Sequence, residues 1–192
     1  NKNIFDYETF NNSKQNFIAV VSNCEKGETE YISKNNCTEK EIYKAVQASS
    51  SMPLCSRMVK IKDYHYLDGA VTNSIPINIP LEQNHKNILV VLTRDKNYRK
   101  PEVSKTMARV YNRAFKKYPK LIEELCTEPG RYNNIKNNID KLEAEGRIMV
   151  IQPKKPVEVT RLERDKTKLQ NLYNDGVKDM EERLEELVKR IR

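Results

Sequence analysis

The chain reads as an α/β protein, and three observations carry that reading. Two short aliphatic runs, residues 88–92 and 148–151, have the length and continuity of buried strands, the second stopped by Pro153. Helical segments lie between them, over about 104–118 and 119–145, so the order is strand, helix, strand. Beyond them, Tyr173, Val177, Met180, Leu184, Leu187 and Ile191 recur at steps of four and three, the signature of a long C-terminal amphipathic helix with a charged outer face.

In order, residues 1–16 are polar and carry neither a strand nor a capped-helix signal. The first residue is Asn, which leads us to expect that a preceding segment has been removed, either a targeting peptide or the N-terminal half of a domain. Residues 17–21 are apolar and β-branched, and 30–33 follow across Glu25, Lys26, Gly27 and Glu28, predicting a hairpin. Thr38 with Glu41 three residues on predicts a capping box, opening a helix with Ile42, Tyr43, Val46 and Ala45 turned inward and Pro53 as its stop. Residues 59–67 alternate loosely, as a strand or hairpin does. The run at 88–92, bounded by Asn87 and by Thr93, Arg94 and Asp95, is expected to be buried on both faces of a parallel sheet. Pro129 and Gly130 predict an interruption of the second helix, and residues 152–156 a brief extended connector. The C-terminal stripe is expected to pack.

A chain of 192 residues suffices for one domain, or one with an appendage. The excess of Lys and Arg over Asp and Glu gives a net charge of +8, which favours anionic surfaces without specifying a fold. Cys24, Cys37, Cys55 and Cys126 show no C-x-x-C spacing, and His65 and His85 are too few to complete the usual zinc patterns, so neither a metal nor a cofactor is expected. Reduced thiols and a cytoplasmic protein are the expectation, with two disulfides in an exported protein as the alternative; no apolar run reaches the length of a signal sequence or membrane span. The densest basic stretch comprises Lys154, Lys155, Arg161, Arg164, Lys166 and Lys168. It reads as a solvated face or as a peripheral contact with anionic phospholipid headgroups. Nucleic acid is not expected, because aromatic–basic interleaving and recognised reader motifs are missing.

The candidate site is Asp68, Gly69 and Ala70, which follow Tyr66 and Leu67. Asp68 falls where a strand should end, and Gly69 supplies backbone freedom for a sharp turn after it. In a doubly wound α/β protein the carboxyl ends of the strands form the ligand crevice, so an acid there is well placed. The plain alternative is an Asp-Gly turn. His65 does not complete a Ser-His-Asp triad: alternation puts Asp68 on one face with Tyr66 and Tyr64, and His65 on the other with Asp63 and Leu67. His85 sits in a polar loop. Ser49, Ser50 and Ser51 form the serine cluster and read as helix C-terminus and turn chemistry leading to Pro53. No G-x-S-x-G nucleophile elbow occurs in the sequence.

The run from Ala48-Ser49 to Pro53, then Asp68-Gly69-Ala70, then I-x-V-V-L-T at 88–93, and finally R-L-E-R-D at 161–165 before the long helix resembles the C-terminal half of the patatin-like phospholipase family. The resemblance runs from about Phe17 to the C-terminus, and its specificity comes from the order and spacing of motifs that are individually weak. It implies a three-layer α/β/α fold, incomplete in this chain. Residues 1–160 would be the C-terminal portion of the catalytic domain, and 161–192 a helical extension packed on it. It also implies a lipid acyl-ester hydrolase with a Ser-Asp dyad and no catalytic histidine, acting on phospholipid or another acyl lipid. Asp68 matches the dyad acid and Gly69 with Ala70 the supporting turn, although Ala70 departs from the commoner D-G-G. The family's serine elbow and oxyanion loop have no counterpart in these residues, so the chain is expected to be inactive alone. Two other readings stay open: a non-catalytic membrane- or partner-binding module, and a degenerate hydrolase.

Overall fold

A computed structural model describes residues 6–160 and 163–191. Arg161 and Leu162, the first two residues of the R-L-E-R-D motif, lie outside the described residues. The chain divides into two compact units.

The first unit comprises the residues up to Pro76 together with Pro101–Tyr132. It is built on a four-stranded antiparallel sheet of β1 (Ile18–Asn23), β2 (Glu28–Ser33), β3 (Val59–Ile61) and β4 (Tyr64–Asp68), in the order β2-β1-β4-β3. The predicted hairpin of β1 and β2 is present, and residues 59–67, read as a strand or hairpin, form a second one: Gly27 turns the first with φ +67° and Lys62 the second with φ +52°. Register places Val21 opposite Asp68 and Ser22 opposite Leu67. Strand alternation therefore assigns Ala19, Val21, Tyr66 and Asp68 to one face, and Ser22, His65 and Leu67 to the other.

Helix α1 (Tyr7–Asn12) and helix α2 (Glu39–Ser49) lie on the first face. Ile42, Ala45 and Ala48 of α2 are buried against Ala19, Val21, Val59, Ile61 and Tyr66. Truncating Ile42 to alanine in such a core costs about 2–5 kcal/mol. The capping box is present, with Glu41 N–H donating to Thr38 and Thr38 N–H to Glu41. Tyr43 and Val46 depart from expectation: they are exposed, because the small Ala45 and Ala48 form the line that sits against the strands. The polar N-terminal stretch also departs from expectation. It does hold a capped helix, α1, whose Thr9 N–H donates to Asp6, and the buried Lys34 ammonium donates to the Phe10 and Ser13 carbonyls at its end.

The opposite face is covered by residues around helix α4 (Lys105–Ala114) and the first half of helix α5 (Pro119–Ala144). Phe115, Leu121 and Leu125 enclose Cys24, Leu67 and Val71, so this unit has helix, sheet and helix layers. Helix α5 runs unbroken through Pro129 and Gly130, against the expected interruption. Buried Leu125 and Tyr132 pin it on either side, and the Arg131 guanidinium reaches back to the Glu124 carbonyl at 2.7 Å and to its carboxylate at 2.9 Å. Tertiary packing thereby outweighs the cost of proline in the helix interior.

The second unit comprises Ile77–Lys100 and the residues from Asn133 on. It contains α3 (Asn78–Glu82), β5 (Leu89–Val91), the rest of α5, β6 (Met149–Ile151) and α6 (Lys166–Ile191). Strands β5 and β6 pair in parallel, as the strand-helix-strand order requires. Strand β6 is buried throughout, but in β5 only Val90 is, and Val91 is 68% exposed. Both strands are edges of this two-stranded sheet, but only β6 is covered, and the expected burial on both faces fails in β5, where Leu89 is exposed as well. The C-terminal stripe is likewise only partly packed. Met180 and Leu187 are half-buried beside Leu172, whereas Tyr173, Val177 and Leu184 are exposed. The packed line also carries Arg183, which pairs with Glu143 at 3.5 Å, and Arg190, which donates to the Gly146 carbonyl; these polar contacts turn the helix away from its apolar stripe. Lys136 is fully buried and donates to Asp140 at 2.6 Å, and Asp140 also accepts from Arg99.

Candidate functional site

Asp68 is the last residue of β4 and the N-cap of a short 3-10 turn, Gly69–Val71. Its Oδ1 accepts the Ala70 amide at 2.9 Å, which orients the carboxylate. The backbone beneath it is held from two sides: Asp68 N–H donates to the Ser51 carbonyl at 3.0 Å, and the Asp68 carbonyl accepts from Ser22 Oγ at 2.8 Å. Half-buried, Asp68 borders a cleft of about 380 Å³. The cleft's apolar wall comes from Phe17, Ile18, Val20, Val46 and Pro76, and its polar lining includes Ser49, Ser50, Asn73 and Ser74.

Gly69 acts differently from the sequence expectation. Its φ lies outside the left-handed region, so the turn does not call on glycine's conformational freedom. What it needs is an absent side chain, since a Cβ there would stand 2.4 Å from the Val20 carbonyl oxygen. The turn thus lies directly on the backbone of β1. Because a 3-10 turn has ordinary right-handed geometry, Ala70 fits the position where the commoner motif has glycine. The expected parallel crevice is also corrected, for the neighbour at the end of β4 is the antiparallel strand β1, with Val21 opposite Asp68.

A hydroxyl network that sequence reasoning did not identify holds the far side of the turn. Buried Ser22 Oγ meets Thr72 Oγ1 at 2.8 Å and accepts the Thr72 amide at 3.2 Å, while Thr29 Oγ1 donates to Thr72 at 2.8 Å. The available signal was Ser22 itself, a hydroxyl following the apolar residues 17–21. The cleft wall at Val46 was missed for a related reason, since that residue was assigned to the core.

His65 is on the opposite face of the sheet from Asp68. Its Nδ1 is 2.7 Å from Glu25 Oε1, its amide donates to the same carboxylate, and its ring meets Tyr118 edge-on. Burial pushes the Glu25 carboxyl up, but the hydrogen bonds from the His65 ring and amide outweigh it and hold the group below its ordinary value. Beside it, burial and the Glu25 charge push the Cys24 thiol up to about 12. Burial also raises Tyr66, whose hydroxyl donates to Glu30 at 2.7 Å. The His85 ring meets Gln83 at 3.0 Å and its amide donates to the Pro80 carbonyl, both away from Asp68 in the sequence. Ser50 and Ser51 donate to the Val46 and Gln47 carbonyls, the helix-end chemistry expected of them. Among the described residues no three His, Cys, Asp or Glu side chains converge as metal ligands.

With Asp68, its glycine and the preceding serine turn assembled at one cleft, the comparison with known families is informative: the model of the patatin-like phospholipases matches residues 2–81. Residues 2–81 are patatin-like. The patatin-like segment contains Asp68, Gly69, Ala70 and every cleft-lining residue. Its placement corrects the extent of the resemblance, which was expected from about Phe17 to the C-terminus. The runs at 88–93 and 161–165 fall outside it, and residues 118–192 instead match a domain of unknown function (DUF6363). No curated protein matches the chain. The part of the chain that is similar to the patatin-like phospholipases is thus the part that carries the cleft.

Proposed function

We propose that Asp68 is the base of a Ser-Asp dyad in a lipid acyl-ester hydrolase, with the serine and its oxyanion donors contributed by polypeptide outside these residues. The observation that carries this reading is the oriented, half-buried carboxylate on the wall of a largely apolar cleft. A serine hydroxyl needs a base within about 2.6–3.2 Å, and a carboxylate serves when it is fixed in direction and partly withdrawn from water. The apolar wall suits the acyl chain of a phospholipid or another acyl lipid. The cleft's own Ser50 and Ser74 already donate to the Val46 and Ala70 carbonyls, which supports a nucleophile from elsewhere. His65 is committed to Glu25 on the other face, which supports a dyad over a triad.

Alone, the chain has a base but no activated hydroxyl, and the absence of even one oxyanion donor costs about 10²- to 10³-fold. The 192-residue chain is therefore expected not to hydrolyse a short-chain p-nitrophenyl ester. Turnover by this chain that disappears in Asp68→Asn would overturn the divided-site reading, because base and nucleophile would then both lie here.

A further inference from the structure

We propose that α4 and the residues following it form a docking surface for membranes bearing anionic headgroups. From residue 103 to 122 the chain has no Asp or Glu, but it has Lys105, Arg109, Arg113, Lys116, Lys117 and Lys120. All six side chains are exposed, and none forms an ion pair among the described residues. Helical periodicity aligns Lys105, Arg109 and Arg113 along one stripe, at steps of four. Met107, Val110 and Ala114 form the neighbouring stripe, and all three are exposed, Met107 at 40% and Val110 at 41%. The helix packs on its own unit through a third line, in which Tyr111 is half-buried and Phe115, just past the helix end, is buried.

An aliphatic stripe flanked by unpaired cations on one short helix is what an interfacial helix needs: the apolar groups enter the acyl boundary while the long basic side chains remain among the headgroups. A nucleic-acid surface would use the cations but gain nothing from exposing Met107 and Val110, and Tyr111 is packed against the core and not free for stacking. The other basic stretch lacks this character. Lys154 pairs with Glu182, its amide donates to Asp179, and Lys168 borders a groove with Asp175, Asp179 and Glu182. Lys154 and Lys168 thus have acidic neighbours, whereas the cations on and after α4 form no ion pair among the described residues. This surface goes beyond the dyad reading and does not depend on it.

The test is co-sedimentation of the full 192-residue chain with vesicles of phosphatidylcholine alone or with one-third phosphatidylserine. Binding is expected to the anionic vesicles only. Each cation near such a surface contributes about fivefold, so Arg109→Gln with Arg113→Gln weakens binding about 25-fold. Met107→Ser with Val110→Ser weakens it about tenfold and removes the part that survives in high salt. Lys154→Gln with Lys155→Gln removes the same number of charges and changes binding less than twofold. All these side chains are exposed, so unchanged circular dichroism shows that the variants fold. Equal binding to neutral vesicles, equal loss in the α4 and control charge variants, or a Met107/Val110 variant with unaltered binding would overturn the proposal. Displacement from vesicles by duplex DNA together with that last result would identify a general polyanion surface. Binding is read without turnover, so failure here leaves the dyad reading standing, and the reverse holds as well.

Discussion

Replacing Gly69 with alanine probes the close approach that positions Asp68. The added Cβ would stand 2.4 Å from the Val20 carbonyl oxygen, 2.6 Å from its carbonyl carbon and 2.8 Å from Cγ1. Carbon atoms in contact prefer about 3.5–4.0 Å, so turn and strand must separate by about 1 Å. Cγ1 can rotate away, but the carbonyl cannot: Val20 is in the central strand β1, paired to Tyr31. The turn is equally constrained, by Ser22 on the Asp68 carbonyl and by Asp68 N–H on Ser51. Overpacking against fixed backbone costs about 3 kcal/mol, near the top of the usual range. For a chain of this size that lowers Tm by about 6–12 °C, read by circular dichroism. Gly130→Ala is the matched control. It lies inside α5 with no atom within 4 Å of the added Cβ, and should stabilise by about 0.5–1 kcal/mol. A Gly69→Ala protein melting within a degree of the parent would refute the close approach.

Three further outcomes follow from the same unit. Ser22→Ala removes the hydroxyl that donates to the Asp68 carbonyl and accepts the Thr72 amide, which keeps its second acceptor, the Gly69 carbonyl, and should cost about 0.5–1.5 kcal/mol in urea unfolding; no loss would show that the network is not holding the turn. Cys24, buried and pushed up to about 12, should resist iodoacetamide until the protein unfolds, while exposed Cys55 reacts at once, as mass spectrometry of the labelled peptides will show. Hydrogen bonds from the Thr38 amide and hydroxyl, and the Lys62 ammonium, hold Glu41 down to about 2. A carboxyl lowered on folding stabilises fully above its ordinary value, and that contribution is lost as pH falls from about 4.5 towards 2. The stability gap between parent and Glu41→Gln should therefore be present at pH 6 and vanish near pH 2; a gap that persists at pH 2 contradicts the capping role.

How much was legible in the sequence depended on whether local chemistry or distant packing set each feature. The two hairpins, the Thr38 capping box and the paired strands at 89–91 and 149–151 were legible because turn residues and short-range patterns specify them. The end of β4 at Asp68, and its separation from His65, were legible because side chains alternate along a strand. Tyr43, Val46 and Pro129 were misread where long-range contacts decide. A helix seated on a tight sheet selected alanines for its inner line, and packed neighbours carried α5 through its proline. The same holds for Gly69, whose role is set by β1, nearly fifty residues earlier in the chain. The C-terminal stripe has a clear period but no record of which side is covered, so Tyr173 and Val177 were assigned to packing and stand exposed.

The central claim concerns one carboxylate, and labelling by a fluorophosphonate, which reports an activated serine directly, tests it best. In a protein that joins this chain to the proposed serine segment, the probe should label that serine, and Asp68→Asn should slow labelling by about 10²- to 10⁴-fold without changing the fold. Labelling at the parental rate in Asp68→Asn would contradict the account, and Asp68 would then be only the cap of its turn.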